Sequence, residues 1–135
     1  QRSMKAVVDT NVLISGLINL HHAPGRIVDM VRSGHLMLVV DDRILAEYGD
    51  VLFRERMRSW ITIEDARNIM SFLVTDTEHV VPTVRIMDLP DIADAPFIEV
   101  AITADVPLIT GNLKHFPESL CRRHPVFSPT TFFNR

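Results

Sequence analysis

Short apolar runs alternate with longer amphipathic stretches along the chain. The runs at 6–8, 36–40 and 106–110 are rich in Val, Ile and Leu and end at polar residues, which is typical of buried parallel strands. Val80-Val81 and the stretch 125–127 predict two further, shorter strands. Because strands alternate with helices, the pattern predicts a three-layer α/β fold, with a central parallel sheet of about four to five strands and helices on both faces.

Helices are indicated by apolar residues three or four positions apart and by capping residues at their starts. The first covers 12–19, and the second contains the apolar residues of 27–31 and closes at Ser33-Gly34. The others are predicted through 44–53 after a cap at Asp41 or Asp42, through 66–73 after a capping-box motif at 62–65, through 97–104 after Asp94, and at 129–133.

Size and composition indicate one folded domain. The chain has 135 residues, 47% of them hydrophobic, and a mean hydropathy of +0.15. We interpret Gln1-Arg2-Ser3 as a cloning remnant, so the predicted domain spans 4–135. The single Cys121 has no partner for an internal disulfide, which favours a cytoplasmic location. No apolar run approaches the roughly 20 residues of a membrane span, so no membrane association is expected.

Asp9 follows the first predicted strand and precedes the first helix. In parallel α/β sheets ligands bind at the carboxyl ends of the strands, so this carboxylate is placed to meet a metal or a substrate. Asp is also a favoured helix N-cap, and capping alone explains the residue equally well.

Glu47 shares the apolar stripe of its helix with Ile44 and Val51. A carboxylate there is costly unless it is paired or bound to metal. An ion pair, or a position at the edge of the stripe, is the ordinary alternative.

Asp94 opens a helix, and Asn112 follows Thr110-Gly111 at the end of a late strand. Capping explains the first residue and a plain turn explains the second. Asp91, just upstream of Asp94, adds a further acidic side chain to the region. A solvent-exposed acidic loop is the ordinary explanation.

Together these residues are more informative than any one of them. Side-chain oxygens after the first strand, on a later helix, at a helix start and after a late strand can all reach one edge of a parallel sheet. Such oxygen-rich clusters suit Mg²⁺ or Mn²⁺. Divalent ions beside an anionic substrate serve phosphodiester hydrolysis, because they activate a water and neutralise charge on the leaving oxygen.

Four stretches, taken in order, resemble the successive motifs of PIN domains, in particular those of VapC-type toxins from toxin–antitoxin pairs. They are VDTNVL at 8–13, LAEY at 45–48, DAPFIEVA at 94–101 and LITGN at 108–112. The resemblance covers nearly the whole chain and implies a PIN-like fold. It also implies a metal-dependent endoribonuclease that acts on RNA, pairs with a small antitoxin protein and forms a homodimer.

Residue by residue, the resemblance assigns metal binding and catalysis to Asp9, Glu47 and Asp94. Glu47 is expected either to ligate the metal or to orient the attacking water. Thr10 or Asn11 falls where a polar residue braces the first acid. The residues expected to support the ligands from around them are Thr10, Asn11, Thr110 and Asp91.

Asn112 departs from the family pattern, in which an Asp often follows Thr-Gly. An amide can ligate through its oxygen or hold a water but brings no charge. We therefore expect Asn112 to assist catalysis and any second metal to bind more weakly, with Asp91 as a candidate to compensate. Glu99 also matches a residue common in the family. It faces away from the apolar stripe of its helix, which indicates a surface or ion-pair role.

Cationic side chains that could contact RNA phosphates fall into two groups, although a solvated basic face is the ordinary explanation for each. The formal net charge of −3 at pH 7 neither indicates nor excludes such binding. Phe132 and Phe133 are expected to be core or interface residues. The two cationic groups are Arg54, Arg56 and Arg58, and Lys114, His115, Arg122, Arg123 and His124.

Two other functions compete with the nuclease. A phosphatase of the haloacid dehalogenase type also has an Asp after its first strand, but it needs a second Asp two positions later, where this chain has Asn11. A catalytically weak or silent PIN-like module that binds RNA or a protein partner is supported by Asn112.

Overall fold

Five parallel strands form the sheet at the centre of the computed structural model, which describes residues 4–135. Residues 1–3, interpreted above as a cloning remnant, lie outside the described part. Along the sheet the strands run in the order β3-β2-β1-β4-β5. The strands are β1 Met4–Val8, β2 Leu36–Val40, β3 Glu78–His79, β4 Leu108–Ile109 and β5 Val126–Phe127.

Helices connect the strands as the alternating pattern predicts. Because crossovers between parallel strands are right-handed, the connection from β3 back to β4 covers the face opposite to the earlier ones. The predicted three-layer α/β fold is thus confirmed. The helices are α1 Thr10–Ile18, α2 Ala23–Arg32, α3 Asp42–Leu52, α4 Ile63–Thr75, α5 Ala95–Ala104, α6 Glu118–Arg123 and α7 Pro129–Phe133, and 3-10 turns occupy Glu55–Ser59, Ile92–Asp94 and Leu113–His115.

Local capping explains where several helices begin. Asp41, rather than Asp42, caps α3 through a hydrogen bond from the N–H of Ile44 at 2.9 Å. Thr62 caps α4 by accepting from the N–H of Asp65 at 3.0 Å. These contacts span three residues, which is why the sequence reveals them.

The third strand differs from its prediction. It occupies Glu78–His79, just before the predicted Val80-Val81. Val80 still donates its N–H to the carbonyl of Val40 at 3.0 Å, after which the chain leaves the sheet. An edge strand pairs through backbone groups on one side only, so its position does not require the apolar residues that marked the prediction.

The register of the two central strands positions the functional site. Val8 of β1 pairs with Ile109 of β4, so Asp9 and Thr110 leave the sheet side by side. The strand order reverses between these two strands, since β2 and β3 lie on one side of β1 and β4 and β5 on the other. Ligands of open α/β sheets bind at such a reversal.

The apolar core lies on both faces of β1 and β2, and it includes Phe132 of α7, which is fully buried, as the sequence predicts. Within residues 4–135, no helix combines the length and the apolar character needed to cross a bilayer.

Candidate metal centre

Asp9 is held at the end of β1 by three hydrogen bonds. Its Oδ1 accepts from the N–H of Val12 at 2.9 Å, which caps α1. Its Oδ2 accepts from the hydroxyl of Thr110 and, at 3.2 Å, from the N–H of Gly111. Capping therefore occupies only one of the two oxygens. Asp9 is 8% exposed, so these bonds fix the direction of a nearly dry carboxylate.

Glu47 on α3 reaches the same end of the sheet. Its Oε2 accepts a hydrogen bond from the hydroxyl of Thr10, which directly follows Asp9. The next residue on the helix, Tyr48, is buried and donates its hydroxyl to the carbonyl of Val8 at 2.5 Å. Burial raises the pKa of Tyr48, and the negative charges of Asp9 and Glu47 raise it further.

Asp94 directly precedes α5 at the N-cap position, but its side chain makes no capping hydrogen bond. Its Oδ2 instead lies 2.9 Å from Nδ1 of His115. Asp91 is exposed and accepts a hydrogen bond from the N–H of Ala93 at 3.0 Å. One ligand-type atom from each of Asp91, Asp94 and His115 lies within 4.8 Å of the other two.

Electrostatic effects connect the carboxylates of the site. Burial raises the pKa of Asp9 more than its hydrogen bonds lower it, and the charge of Asp94 raises it further. Burial also raises the pKa of Asp94, with Asp91 and Glu47 adding to the effect and His115 opposing it. The acids named from the sequence thus influence one another at one edge of the sheet.

The tightest group of ligand atoms is not the trio singled out from the sequence. Among residues 4–135, the group of three or more metal-ligating side chains whose atoms all lie within 4.8 Å is Asp91, Asp94 and His115. Asp9 and Glu47 lie outside that group, although the charge of Asp94 raises the pKa of Asp9 and the charge of Glu47 raises that of Asp94.

A divalent cation fits this set of donors. Within the described part of the chain, no Lys or Arg nitrogen lies within 4.0 Å of a carboxylate oxygen of Asp9, Glu47, Asp91 or Asp94. Clustered negative charge with no cationic side chain nearby is a state that a bound cation relieves.

The polar residues around the acids have different environments. Thr110 is buried, and its hydroxyl serves Asp9 as donor while accepting from the N–H of Asn112 at 3.1 Å. Thr10 bonds Glu47 rather than Asp9. Asn11 is exposed on the first turn of α1. Between Thr10 and Asn11, Thr10 is therefore the one that contacts a carboxylate of the site.

Glu99 forms the ion pair that was one of its two predicted roles, but its predicted surface position is wrong. The residue is 4% exposed. Its Oε1 accepts a hydrogen bond from Nη1 of Arg43 at 2.9 Å, and its Oε2 accepts from the N–H of Ile86 at 2.8 Å. The helical stripe misled the prediction because the segment before Asp91 covers the outer face of α5.

Several side chains of the two predicted cationic groups are buried or paired in the structure. His124 is buried, with Nε2 2.6 Å from the carbonyl of Val106, so it belongs to no cationic surface. Arg58 turns inward and donates to the carbonyl of Leu52 at the end of α3. Arg122 pairs with Glu118 at 2.7 Å. Among the described residues of the late group, the exposed cations without an ion-pair partner are Lys114 and Arg123.

His115 is a candidate ligand that the sequence reasoning placed among RNA-binding residues instead. It lies three positions after Asn112, and the intervening 3-10 turn points it back toward Asp94. That spacing, beside a strand end already expected to face the site, is the signal that could have indicated it.

Comparison with known proteins identifies the family. The family model described as PIN domain matches residues 5–114. The chain belongs to the PIN domain family. PIN domains are typically nucleases and generally bind divalent metals. An uncharacterized protein of Methanocaldococcus jannaschii, MJ1680, is 29% identical to this PIN domain over 110 residues, which are 81% of this chain and 71% of the relative.

Solved structures share the fold at low sequence identity. VapBC2 from Rickettsia felis, bound to a DNA fragment from its promoter, has a TM-score of 0.55 and 14% identity, covering 93% of this PIN domain and 98% of that chain. VapBC-1 from nontypeable Haemophilus influenzae has a TM-score of 0.58 and 17% identity, covering 94% of this PIN domain and 99% of that chain. PAE2754 from Pyrobaculum aerophilum has a TM-score of 0.57 and 12% identity, covering 97% of this PIN domain and 88% of that chain.

Proposed function

We propose that this PIN domain is an endoribonuclease that depends on Mg²⁺ or Mn²⁺ and hydrolyses phosphodiester bonds of RNA. The observation that carries the proposal is the buried carboxylate of Asp9, fixed by Val12, Thr110 and Gly111 at the point where the strand order reverses. Burying a carboxylate that has no cationic partner costs free energy. The same carboxylate is well suited to bind a divalent metal ion.

The residues divide the work according to their contacts. Asp9 and Asp94 would hold the metal, with Glu47 as a further ligand or as the group that orients the attacking water. When bound, such an ion would supply an activated water and neutralise charge on the scissile phosphate. Thr110 directs the carboxylate of Asp9, and Thr10 directs that of Glu47. Asn112, anchored through its backbone to Thr110, assists as an uncharged polar group.

RNA would approach over the turn that follows β4. Lys114 is exposed and directly precedes His115, whose ring contacts Asp94. Arg123 is exposed at the end of α6. Contacts of this kind bind phosphates and carry no base information, so they position a strand without selecting its sequence.

The test is cleavage of a 5′-labelled single-stranded RNA by purified protein. We expect cleavage with Mn²⁺ or Mg²⁺ and none in EDTA. Asp9→Asn should abolish the metal-stimulated cleavage while the circular dichroism spectrum is unchanged. Asp29→Asn, a change of the same kind on the exposed side of α2, is the matched control and should keep full activity. Full activity of Asp9→Asn contradicts the assignment.

We propose further that the domain is the toxin of a toxin–antitoxin pair, acting in the cytoplasm as a homodimer that a small antitoxin protein neutralises. The VapBC structures that share its fold support this role. Expression of the wild-type chain should arrest bacterial growth, and co-expression of the proposed antitoxin should restore growth. Arrest by Asp9→Asn as strong as by wild type would exclude RNA cleavage as its cause.

A silent PIN module that binds RNA or a protein is the second candidate, because Asn112 brings no charge where an acid is common in the family. Metal binding separates the two candidates. Mn²⁺ bound between Asp9 and Asp94 in a crystal soaked with the ion supports the enzyme. No bound ion, together with RNA binding that is indifferent to EDTA, supports the silent module.

A further inference from the structure

The turn after β4 carries an imidazole that the acid-based metal centre leaves unused. His115 ends the 3-10 turn Leu113–His115, and its side chain is 40% exposed. Its Nδ1 lies 2.9 Å from Oδ2 of Asp94, and Asp91 completes a group whose ligand atoms all lie within 4.8 Å of one another. The imidazole is thus both close to two carboxylates and open to an ion from solvent.

We propose that His115 supplies a nitrogen ligand to a divalent ion that Asp91 and Asp94 hold through oxygen, and that this site prefers first-row transition ions to Mg²⁺. The assignment rests on the proposed function in one respect, namely that Asp94 belongs to the metal centre. It does not require that RNA be cleaved.

The spacing of the atoms suits a shared ion. In an octahedral shell with bonds of roughly 2.1 Å, neighbouring ligand atoms lie about 3 Å apart and opposite ones about 4.2 Å apart. His115 Nδ1 and Asp94 Oδ2 are hydrogen-bonded at 2.9 Å, which is also the separation of neighbouring ligands, so an ion can take the place of the shared proton. Asp91 is exposed, and one of its carboxylate oxygens lies within 4.8 Å of the other two ligand atoms, so it completes the shell by moving closer to them.

The Asp94 side chain is directed at His115 and not at its own helix. Asp9 and Asp41 accept hydrogen bonds from the helices that they precede, at 2.9 Å in each case. Asp94 directly precedes α5 and makes no such bond. Its carboxylate is therefore available to a group outside the helix, beside the further negative charges of Asp9 and Glu47.

Ligand chemistry gives the ion preference. Carboxylate and water ligands suit Mg²⁺, whereas imidazole suits transition ions, whose affinity for a mixed nitrogen and oxygen site increases from Mn²⁺ toward Cu²⁺. Asn112 removes the charge that an acid would bring near the strand end. His115 adds a donor atom without adding charge, so it compensates most for ions that bind nitrogen well.

The test measures ligands rather than activity. Protein labelled with ¹⁵N-histidine is loaded with Mn²⁺ and studied by pulsed electron paramagnetic resonance. We expect coupling to a histidine nitrogen in wild type, its loss in His115→Gln and its retention in His21→Gln, a change at an exposed histidine on another loop. The dissociation constant for Mn²⁺ or Co²⁺ should increase at least about tenfold in His115→Gln. The dissociation constant for Mg²⁺ should change by less than about twofold in the same variant.

Several results overturn the proposal. They are an absence of Mn²⁺ binding or of nitrogen coupling in wild type, and coupling that survives in His115→Gln. A weaker Mn²⁺ affinity in that variant without any nitrogen coupling in wild type means that His115 only orients Asp94. An absence of nitrogen coupling in wild type rejects the proposal even if His115→Gln folds poorly, and if coupling is present its retention in His21→Gln excludes that histidine as the source.

RNA cleavage by the same samples separates this inference from the proposed function. Cleavage with Mg²⁺ and Mn²⁺ but no histidine coupling leaves the nuclease intact and rejects the ligand role of His115. Histidine coupling without cleavage by any loaded sample supports the ligand role and rejects the nuclease.

Discussion

Nη1 of Arg43 donates a hydrogen bond to Oε1 of Glu99 at 2.9 Å and ties α3 to α5. Glu47 lies one turn further along α3, and Asp94 stands at the start of α5. The other carboxylate oxygen of Glu99 accepts from the N–H of Ile86 at 2.8 Å. This buried acid therefore links the two helices that carry the proposed ligands, although it contacts none of them.

Glu99→Ala should lower the free energy of unfolding by about 1–3 kcal/mol. Most of this loss comes from the N–H of Ile86, which is left without its acceptor, because Arg43 is half-exposed and can turn to water. Urea denaturation of Glu99→Ala, Arg43→Ala and the double variant gives the coupling energy of the pair.

The exposed pair Arg122 and Glu118, at 2.7 Å, is the control for that cycle. It should show a coupling of at most about 0.5 kcal/mol, since exposed pairs four residues apart on a helix contribute little. Equal coupling energies for the two pairs would contradict a special role for Glu99.

Thr110→Val should weaken the metal centre without unfolding it. The substitution keeps the shape of a buried side chain and removes the hydroxyl that donates to Asp9, which lowers the free energy of unfolding by about 1–3 kcal/mol. Because that bond lowers the pKa of Asp9, its loss raises this pKa further and weakens Mn²⁺ binding.

The measurement for Thr110→Val is the increase in Tm that Mn²⁺ produces. Thr75→Val is the matched control, since the hydroxyl of Thr75 donates to the carbonyl of Ser71 on the exposed end of α4. The control should keep the wild-type response to Mn²⁺. An unchanged response in Thr110→Val would show that the hydroxyl does not support the site.

Asp94→Asn should alter the pH dependence of stability in EDTA. Burial, Asp91 and Glu47 raise the pKa of Asp94, so the folded protein holds this proton more tightly than the unfolded chain does. The resulting stabilisation is present at low pH and is lost as the pH rises through the folded pKa. The free energy of unfolding of the variant minus that of wild type should therefore increase as the pH rises from about 4 to about 7.

Thermal denaturation at the two pH values checks this sign, with Asp29→Asn as the exposed control. A stability difference between Asp94→Asn and wild type that decreases with rising pH would mean that Asp94 is stabilised as a carboxylate.

Gly16→Ala should destabilise the contact between α1 and α2. A Cβ on Gly16 would lie 2.3 Å from the carbonyl oxygen of Pro24 and 2.5 Å from Cγ2 of Val28, so the helices must separate, at a cost of about 1–3 kcal/mol. Gly49→Ala on α3 meets only Met70, at 3.4 Å, and should be neutral or stabilising by up to about 1 kcal/mol. Similar losses in both variants would contradict the close approach at Gly16.

Local patterns predicted most of the fold. The runs before Asp9 and at 36–40 lie in central strands because residues buried on both sides of a sheet must be apolar throughout. The helix starts at Asp41 and Thr62 follow from contacts over three residues. Even the misplaced strand at Val80 is adjacent to the real one.

By itself, the sequence determined the α/β fold and the family and predicted which acids form the site, because hydrophobic periodicity and short motifs are properties of neighbouring residues. Only the tertiary structure decided which side chains meet. The contact of His115 with Asp94, the burial of Glu99 against Arg43 and the donation of Thr110 to Asp9 each join residues far apart in the chain. A periodic pattern reports that a side chain faces inward, but its partner depends on how strands and helices pack, which no local pattern contains.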